Sequence, residues 1–132
     1  METRIELYNK RERVSSIITV KQLAENTFQM IENDLANCTL TKGTEFETKI
    51  NKGSQHEVRR ILTRSSFITR RFILPPNYRI ADYLMLGDEL DARGGFWQVD
   101  FGCFLTVNIP KDFPFNVDSV IKEFDLNLEE VD

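Results

Sequence analysis

The chain of 132 residues is poor in the side chains that carry most enzyme chemistry: one histidine, two cysteines and a single tryptophan. With one imidazole, any Ser-His-Asp or Cys-His arrangement would have to run through His56. His56 falls in a segment that reads as a helix start, where a solvent-facing side chain is expected, so no catalytic residue is assigned. Cys38 and Cys103 are far apart in sequence and fit no zinc-ligand spacing. Two reduced, buried thiols in a cytoplasmic protein are the expectation, with a single disulfide between them as the alternative, and no metal site is assigned. Asn37-Cys38-Thr39 has the glycosylation pattern but no secretory context beside it. Neither GxGxxG nor GxxxxGK[ST] occurs, so no nucleotide cofactor is implied, nor any other. No apolar run approaches the ~20 residues of a membrane-spanning helix. The first residues, Met-Glu-Thr-Arg-Ile-Glu-Leu, are charged rather than signal-like, and no membrane partner is expected.

What the chain does have is charge sorted by position. From Lys42 to Arg79 there are nine Lys/Arg against three Asp/Glu, and from Ile80 to Asp132 there are three against twelve. The first forty-one residues are nearly balanced, with five against six, and the whole carries −4. Such a bipolar field steers charged partners. The composition is otherwise that of an ordinary globular protein, and the length suits one domain over 1–132. Ten phenylalanines are many for this size and should fill much of the core.

Periodicity predicts an amphipathic helix from Val20 to Asn37. Thr19 and Gln22 stand at capping-box spacing, and Val20, Leu23, Ala24, Thr27, Phe28, Ile31 and Leu35 form one stripe. Ile5 to Tyr8 is either a strand or a helical turn. Phe46, Thr48 and Ile50 alternate as a strand. Ser54 to Arg64 reads as a short helix with Ser54 and Glu57 as capping box; a hairpin closed at Lys52-Gly53 is the competing reading. Phe67 to Leu74 reads as a strand ended by Pro75-Pro76, and Tyr78 to Leu86 as another, with a helix as the alternative. From Trp97 to Ile109 every odd position is apolar, which predicts one long strand bent at Gly102. A short helix from Asp118 or Ser119 and an acidic tail complete the chain. The predicted fold is α+β, a single domain with an antiparallel sheet and the N-terminal amphipathic helix packed on one face.

The basic region is the leading candidate site. Arg59, Arg60, Arg64, Arg70 and Arg71 would converge if the 54–64 helix packed beside the next strand, and guanidinium forks suit phosphate or carboxylate. The competing expectation is that they pair with the chain's own C-terminal acids, which would be weakly stabilising and functionally silent. Phe113 and Phe115, around Pro114, and Phe104, on the polar face of the long strand, are candidate protein-contact residues. Asp88, Glu89 and Asp91 are read as a loop cluster before Gly94-Gly95, with Asp100 following on the polar face of the long strand. Their bland reading is solvation and their sharper one a Mg²⁺ or acid–base site.

The function that this pattern favours is non-enzymatic. It is that of a small acidic regulator, inhibitor or adaptor that binds a macromolecule, most readily a protein, through charge-polarised surfaces. A nucleic-acid-binding protein using residues 59–71 is the first alternative, although a pI of about 5.1 argues against it. A metal-dependent hydrolase using the 88–100 carboxylates is the second. A long strand left at a sheet edge would also make a homodimer.

Overall fold

The N-terminal segment folds as strands. The computed structural model describes residues 1–37, 39–112 and 116–131 and forms two units, Met1–Ser66 and Phe67–Asp132. The first unit is a closed barrel of β1 (Glu2–Asn9), β2 (Val14–Ala24), β3 (Thr27–Met30), β4 (Glu45–Ile50) and β5 (His56–Thr63). Each strand pairs antiparallel with the next, and β1 closes on β5 in parallel at Leu7 and His56.

These elements overturn the α+β expectation: among the described residues the fold is mostly β, 46% strand and 15% helix, with two short helices and a strand as first element. The Val20–Asn37 stripe is a hairpin. Val14, Ile17, Ile18, Thr19 and Val20 are β-branched and favour the pleated surface. Ile18 and Val20 point inward from β2, the chain reverses between Ala24 and Thr27, and Phe28 and Met30 point inward from β3. Reversal restarted the period-2 pattern at an offset that mimicked a helical spacing of three and four. The supposed cap does other work: the Thr19 amide donates to Glu32 Oε1 at 3.1 Å, and Gln22 Nε2 donates to the Glu25 carbonyl at 3.2 Å.

The 54–64 segment is likewise a strand, as the hairpin alternative had it. Asn51 builds the turn: its Oδ1 accepts from the amides of Gly53 and Gln55, both at 2.9 Å. Its Nδ2 donates to Glu57 Oε2 at 2.9 Å, so Glu57 buttresses a turn instead of capping a helix. The barrel interior is filled by Ile5, Leu7, Ile18, Val20, Phe28, Met30 and Phe46, with Leu40 from the β3–β4 connection fully buried among them. That connection is held by buried polar groups. Asn33 Oδ1 accepts from the Lys42 amide at 3.0 Å, and Asp34 accepts from Ser16 Oγ at 3.2 Å and the Ala36 amide at 3.0 Å.

The second unit is a four-stranded sheet in the order β7-β8-β6-β9, made of β6 (Phe67–Ile73), β7 (Phe96–Asp100), β8 (Phe104–Pro110) and β9 (Glu129–Val131). A 3-10 turn (Ile80–Asp82), α1 (Leu84–Ala92) and α2 (Val117–Glu123) supply the helices. The Tyr78–Leu86 segment is therefore not a strand; from Ile80 on it holds the 3-10 turn and the start of α1, as the helical alternative had it. The long strand expected over Trp97–Ile109 is a hairpin, β7 and β8, turning at Phe101 and Gly102 with φ of 54° and 66°. Two consecutive positive φ values suit a tight hairpin turn, and Gly102 supplies one without strain. Phe101 lies at the tip, 84% exposed. The acidic tail is not free either, since Glu129 to Val131 pair with β6.

One face of this sheet carries Phe72, Leu105, Val107 and Ile109, packed with Tyr83, Leu86 and Leu90 around α1 and Val117 of α2. Trp97 lies against α1 so closely that a Cβ on Gly87 would come within 2.4 Å of its ring. Tyr83 Oη donates to the Asn127 carbonyl at 3.2 Å, fixing the chain ahead of β9.

Candidate interaction surfaces

The five candidate arginines divide between the units, because β5 and β6 belong to different sheets. Arg59 and Arg60 lie on β5, where a register shift opposite Glu47 and Thr48 inserts one extra residue. A bulge of this kind breaks the alternation, so two consecutive side chains can reach the same way. Both do: Arg59 Nε is 3.6 Å and Arg60 Nη2 3.4 Å from the carboxylate of Glu47, and both guanidiniums stay about two-thirds exposed. One acid thus faces two bases. Arg64, just past the strand, is exposed too, as are Ile61 and Leu62. Five exposed residues on one strand, Arg59 to Thr63, form the least buried stretch of the barrel's regular structure.

Arg70 behaves oppositely. Its guanidinium forks onto Glu130 of β9, Nε to Oε2 at 2.8 Å and Nη2 to Oε1 at 2.9 Å, and meets Asp118 of α2 at 3.0 Å. The same group sits 5.3 Å from the Phe72 ring centre. These hydrogen bonds raise the Arg70 pKa and hold the carboxyls of Asp118 and Glu130 below their ordinary values. Arg70 is a clasp that joins three elements, and its charge is spent inside the unit. Arg71 points to the other face of β6, half-buried. Internal pairing with C-terminal acids therefore describes Arg70, and an exposed basic surface describes Arg59, Arg60 and Arg64.

His56 is not the fully solvent-facing side chain expected of a helix start. It sits half-buried where the barrel closes, its Nδ1 2.8 Å from Thr48 Oγ1 and its ring edge-on to Phe28 at 5.3 Å. Burial lowers its pKa. Burial raises that of Asp34, against the lowering effect of its hydrogen bonds.

Asp88, Glu89 and Asp91 lie on α1 and not in a loop, while Asp100 is on a strand as expected, at the end of β7. Glu89 pairs with Arg93 at 3.5 Å and Asp100 accepts from Gln98 Nε2 at 2.9 Å. Among the described residues, no three His, Cys, Asp or Glu side chains cluster as metal ligands. Phe104 is half-buried at the start of β8; Phe113 and Phe115 lie outside the described residues, as does Cys38. Cys103 is a free, half-buried thiol.

Two depressions mark the second unit. One, about 410 Å³, has Ile68, Ile109, Pro110 and Val117 as its apolar floor and Arg70 with Asp118 at its edge. The other, about 430 Å³, lies between α1 and α2, with Met85, Glu89 and Arg93 on one wall and Val120, Glu123 and Phe124 on the other. Sequence pattern does not reveal this second surface, because its α1 wall falls where the residues read first as a strand, with a helix only as alternative, and then as an acidic loop. The available signal was the spacing of Met85, Glu89 and Arg93 by four, a helical stripe.

No protein-family model and no curated protein matches the chain. Among solved structures it is similar to a hypothetical protein from Neisseria gonorrhoeae at 12% identity and a TM-score of 0.64, over 98% of this chain and 94% of that one. At that identity the likeness shows the fold alone. Among the described residues no helix is long and apolar enough to cross a membrane.

Proposed function

We propose that the protein is a non-enzymatic binding module, a small regulator, inhibitor or adaptor that engages a macromolecular partner in the cytoplasm through surfaces of opposite charge. The observation that carries this reading is how charge divides between the units. The barrel holds eleven Lys/Arg against nine Asp/Glu, and the sheet–helix unit six against twelve. On the barrel the excess is displayed on the exposed side chains of Arg59, Arg60 and Arg64. Fields of this kind accelerate encounter and select partners more than they add affinity. A protein partner is favoured over nucleic acid because Glu47 stands between Arg59 and Arg60 and repels phosphate where the basic surface is densest.

The test is charge reversal of Arg59, Arg60 and Arg64 to Glu, followed by capture of interacting proteins from native lysate at low and moderate salt. Loss of the captured protein from the variant, with the wild type retaining it, is expected. Unchanged capture sinks the reading. A single-stranded oligonucleotide shifted by the wild type, with affinity falling steeply in salt, would replace it with nucleic-acid binding.

A further inference from the structure

Strand β5 outruns β1. It pairs with β4 from His56 to Thr63, but on its other side it meets β1 only at His56, opposite Leu7. β1 ends at Asn9 while β5 continues to Thr63, and among the described residues no further strand pairs with that edge. In a strand paired on one side, alternate residues turn their N–H and C=O groups outward. From Val58 to Thr63 this leaves the backbone groups of about three residues to water, along ~20 Å of strand. The side chains agree with the pairing. Arg59 to Thr63 are exposed without a break, so neither face of this stretch is covered.

An open edge is a template for another strand, and proteins blunt such edges with charge and bulges. Both devices are present. Register shifts interrupt the β4–β5 pairing at two places, and the stretch from Val58 to Arg64 carries three arginines and no acid. A second copy of the chain is therefore a poor guest, since β5 against β5 would set two rows of arginine along one seam. An acidic strand is a good one. Strands lie ~4.8 Å apart, so an added strand has Arg59 and Arg60 as near neighbours, whereas Glu45 and Glu47 belong to β4, one strand further off. Glu47 alone faces both guanidiniums, and each stays about two-thirds exposed, with donors left for another carboxylate. Ile61 and Leu62, 39% and 41% exposed, offer apolar contacts between Arg60 and Arg64.

We infer that the outer edge of β5, from Val58 to Thr63, is a docking site for an extended acidic segment of a partner protein that adds to the barrel as a strand. Its backbone completes the ladder, its Asp or Glu meet Arg59, Arg60 and Arg64, and its apolar residues cover Ile61 and Leu62. Recognition of this kind takes affinity from main-chain bonds and selectivity from side chains. The inference rests on the binding-module reading above and gives its basic surface a partner conformation as well as a charge.

The test uses the full chain and a synthetic peptide of about seven residues, the reach of the open stretch, alternating glutamate with valine. Fluorescence anisotropy should show it binding at least about tenfold tighter than a lysine–valine counterpart, on the scale of close charge pairs. Hydrogen exchange should slow at alternate amides between Val58 and Thr63. Two further peptides carry N-methyl groups on odd or on even residues, which removes the donors from one edge at a time. One should lose about tenfold or more and the other stay within about threefold, because only one edge of the guest faces β5. Arg59→Gln with Arg60→Gln should weaken the glutamate peptide about tenfold, while Lys21→Gln, on the non-adjacent β2, leaves it within about twofold. Since both arginines are exposed, the double variant should keep the wild-type circular dichroism.

Equal binding of the lysine peptide, or equal effects of the two N-methylated peptides, would overturn the proposal, as would a double glutamine variant of unchanged affinity. A wild-type dimer in sedimentation equilibrium, with those amides already protected, would make the occupant a second copy of this chain, and the proposal would again fall. If the glutamate peptide fails while reversal of Arg59, Arg60 and Arg64 still abolishes partner capture, strand addition is wrong and the broader reading stands. If both fail, the broader reading has failed too.

Discussion

The two units solve the same problem, a core for about sixty-six residues each, by different means. The barrel closes a sheet on itself, so each strand needs only one apolar face, and the interior is completed by a loop residue, Leu40. The second unit leaves its sheet open and covers one face with two short helices. Closure removes most strand edges and spares the barrel any helix, whereas the open sheet depends on close helix contacts such as Gly87 on Trp97. Their charges differ in the same sense. The barrel's arginines on β5 stay outside, and Arg70 is turned to holding β6, β9 and α2 together. Arginines ten and eleven positions apart in sequence thus serve opposite ends, and position in the fold decides which.

Breaking each core in turn sharpens that contrast. Phe46 is fully buried in the barrel with its ring 5.9 Å from that of Phe28. Phe46→Ala should cost about 3–5 kcal/mol in urea unfolding, because the closed sheet cannot collapse into the void. A loss below about 1 kcal/mol would mean that the barrel core is looser than its geometry shows. In the second unit Gly87→Ala drives a methyl into the Trp97 ring, and a loss of about 1–3 kcal/mol is expected. Trp97 is the only tryptophan in the chain, so its emission reports directly on that contact. An unchanged spectrum together with unchanged stability would remove the contact.

The smallest effect separates the units by pH. Burial depresses the His56 pKa, so the folded barrel binds fewer protons than the unfolded chain. Its stability should be full above the ordinary value of 6.5 and fall as pH drops from there toward the depressed folded value. Asp34, raised, works the other way, its contribution growing as pH falls through the raised value toward 3.8. In the second unit the depressed carboxyls of Asp118 and Glu130 lend stability above their ordinary values, 3.8 and 4.5, that is lost only on further acidification. Thermal melts of His56→Gln should therefore lose the slope just below pH 6.5 while keeping the acid limb. Retention of that slope would show that another group causes it.

Parts of this architecture could be read from the residues. Alternation marks β4 and both inward-facing sets of β7 and β8, β-branched and aromatic propensity marks β6, and the start of the short helix α2 is legible to within a residue or two. Chain reversal was harder to see. In the β7–β8 hairpin Trp97 pairs with Val107 and Val99 with Leu105, odd with odd, so the apolar parity runs through the turn unbroken. A thirteen-residue alternation is then equally consistent with one strand or two. The β2–β3 hairpin fails in the complementary way, since its offset imitates a helical stripe. Of the candidate surface, Arg59, Arg60 and Arg64 were identifiable as candidate cations together with Arg70 and Arg71, but residue type does not tell which of the five stay exposed. The α1–α2 depression was not identifiable, because it depends on a helix that local β-propensity around Tyr78 to Leu86 conceals.

Amounts of charge, their order along the chain, the alternation that makes faces apolar or polar, and the absence of an apolar run suited to a membrane helix are properties of residues and near neighbours. They are already present in the linear chain. Which strands close on which, and which charges cancel, depend on pairs remote in sequence, such as Arg70 with Glu130, sixty positions apart. Such pairs interact only when folding brings them within hydrogen-bonding reach, where the Coulomb energy and the directional bond become large enough to matter. That is why Arg70 became an internal clasp and Arg59 an outward surface, a difference that no local pattern encodes.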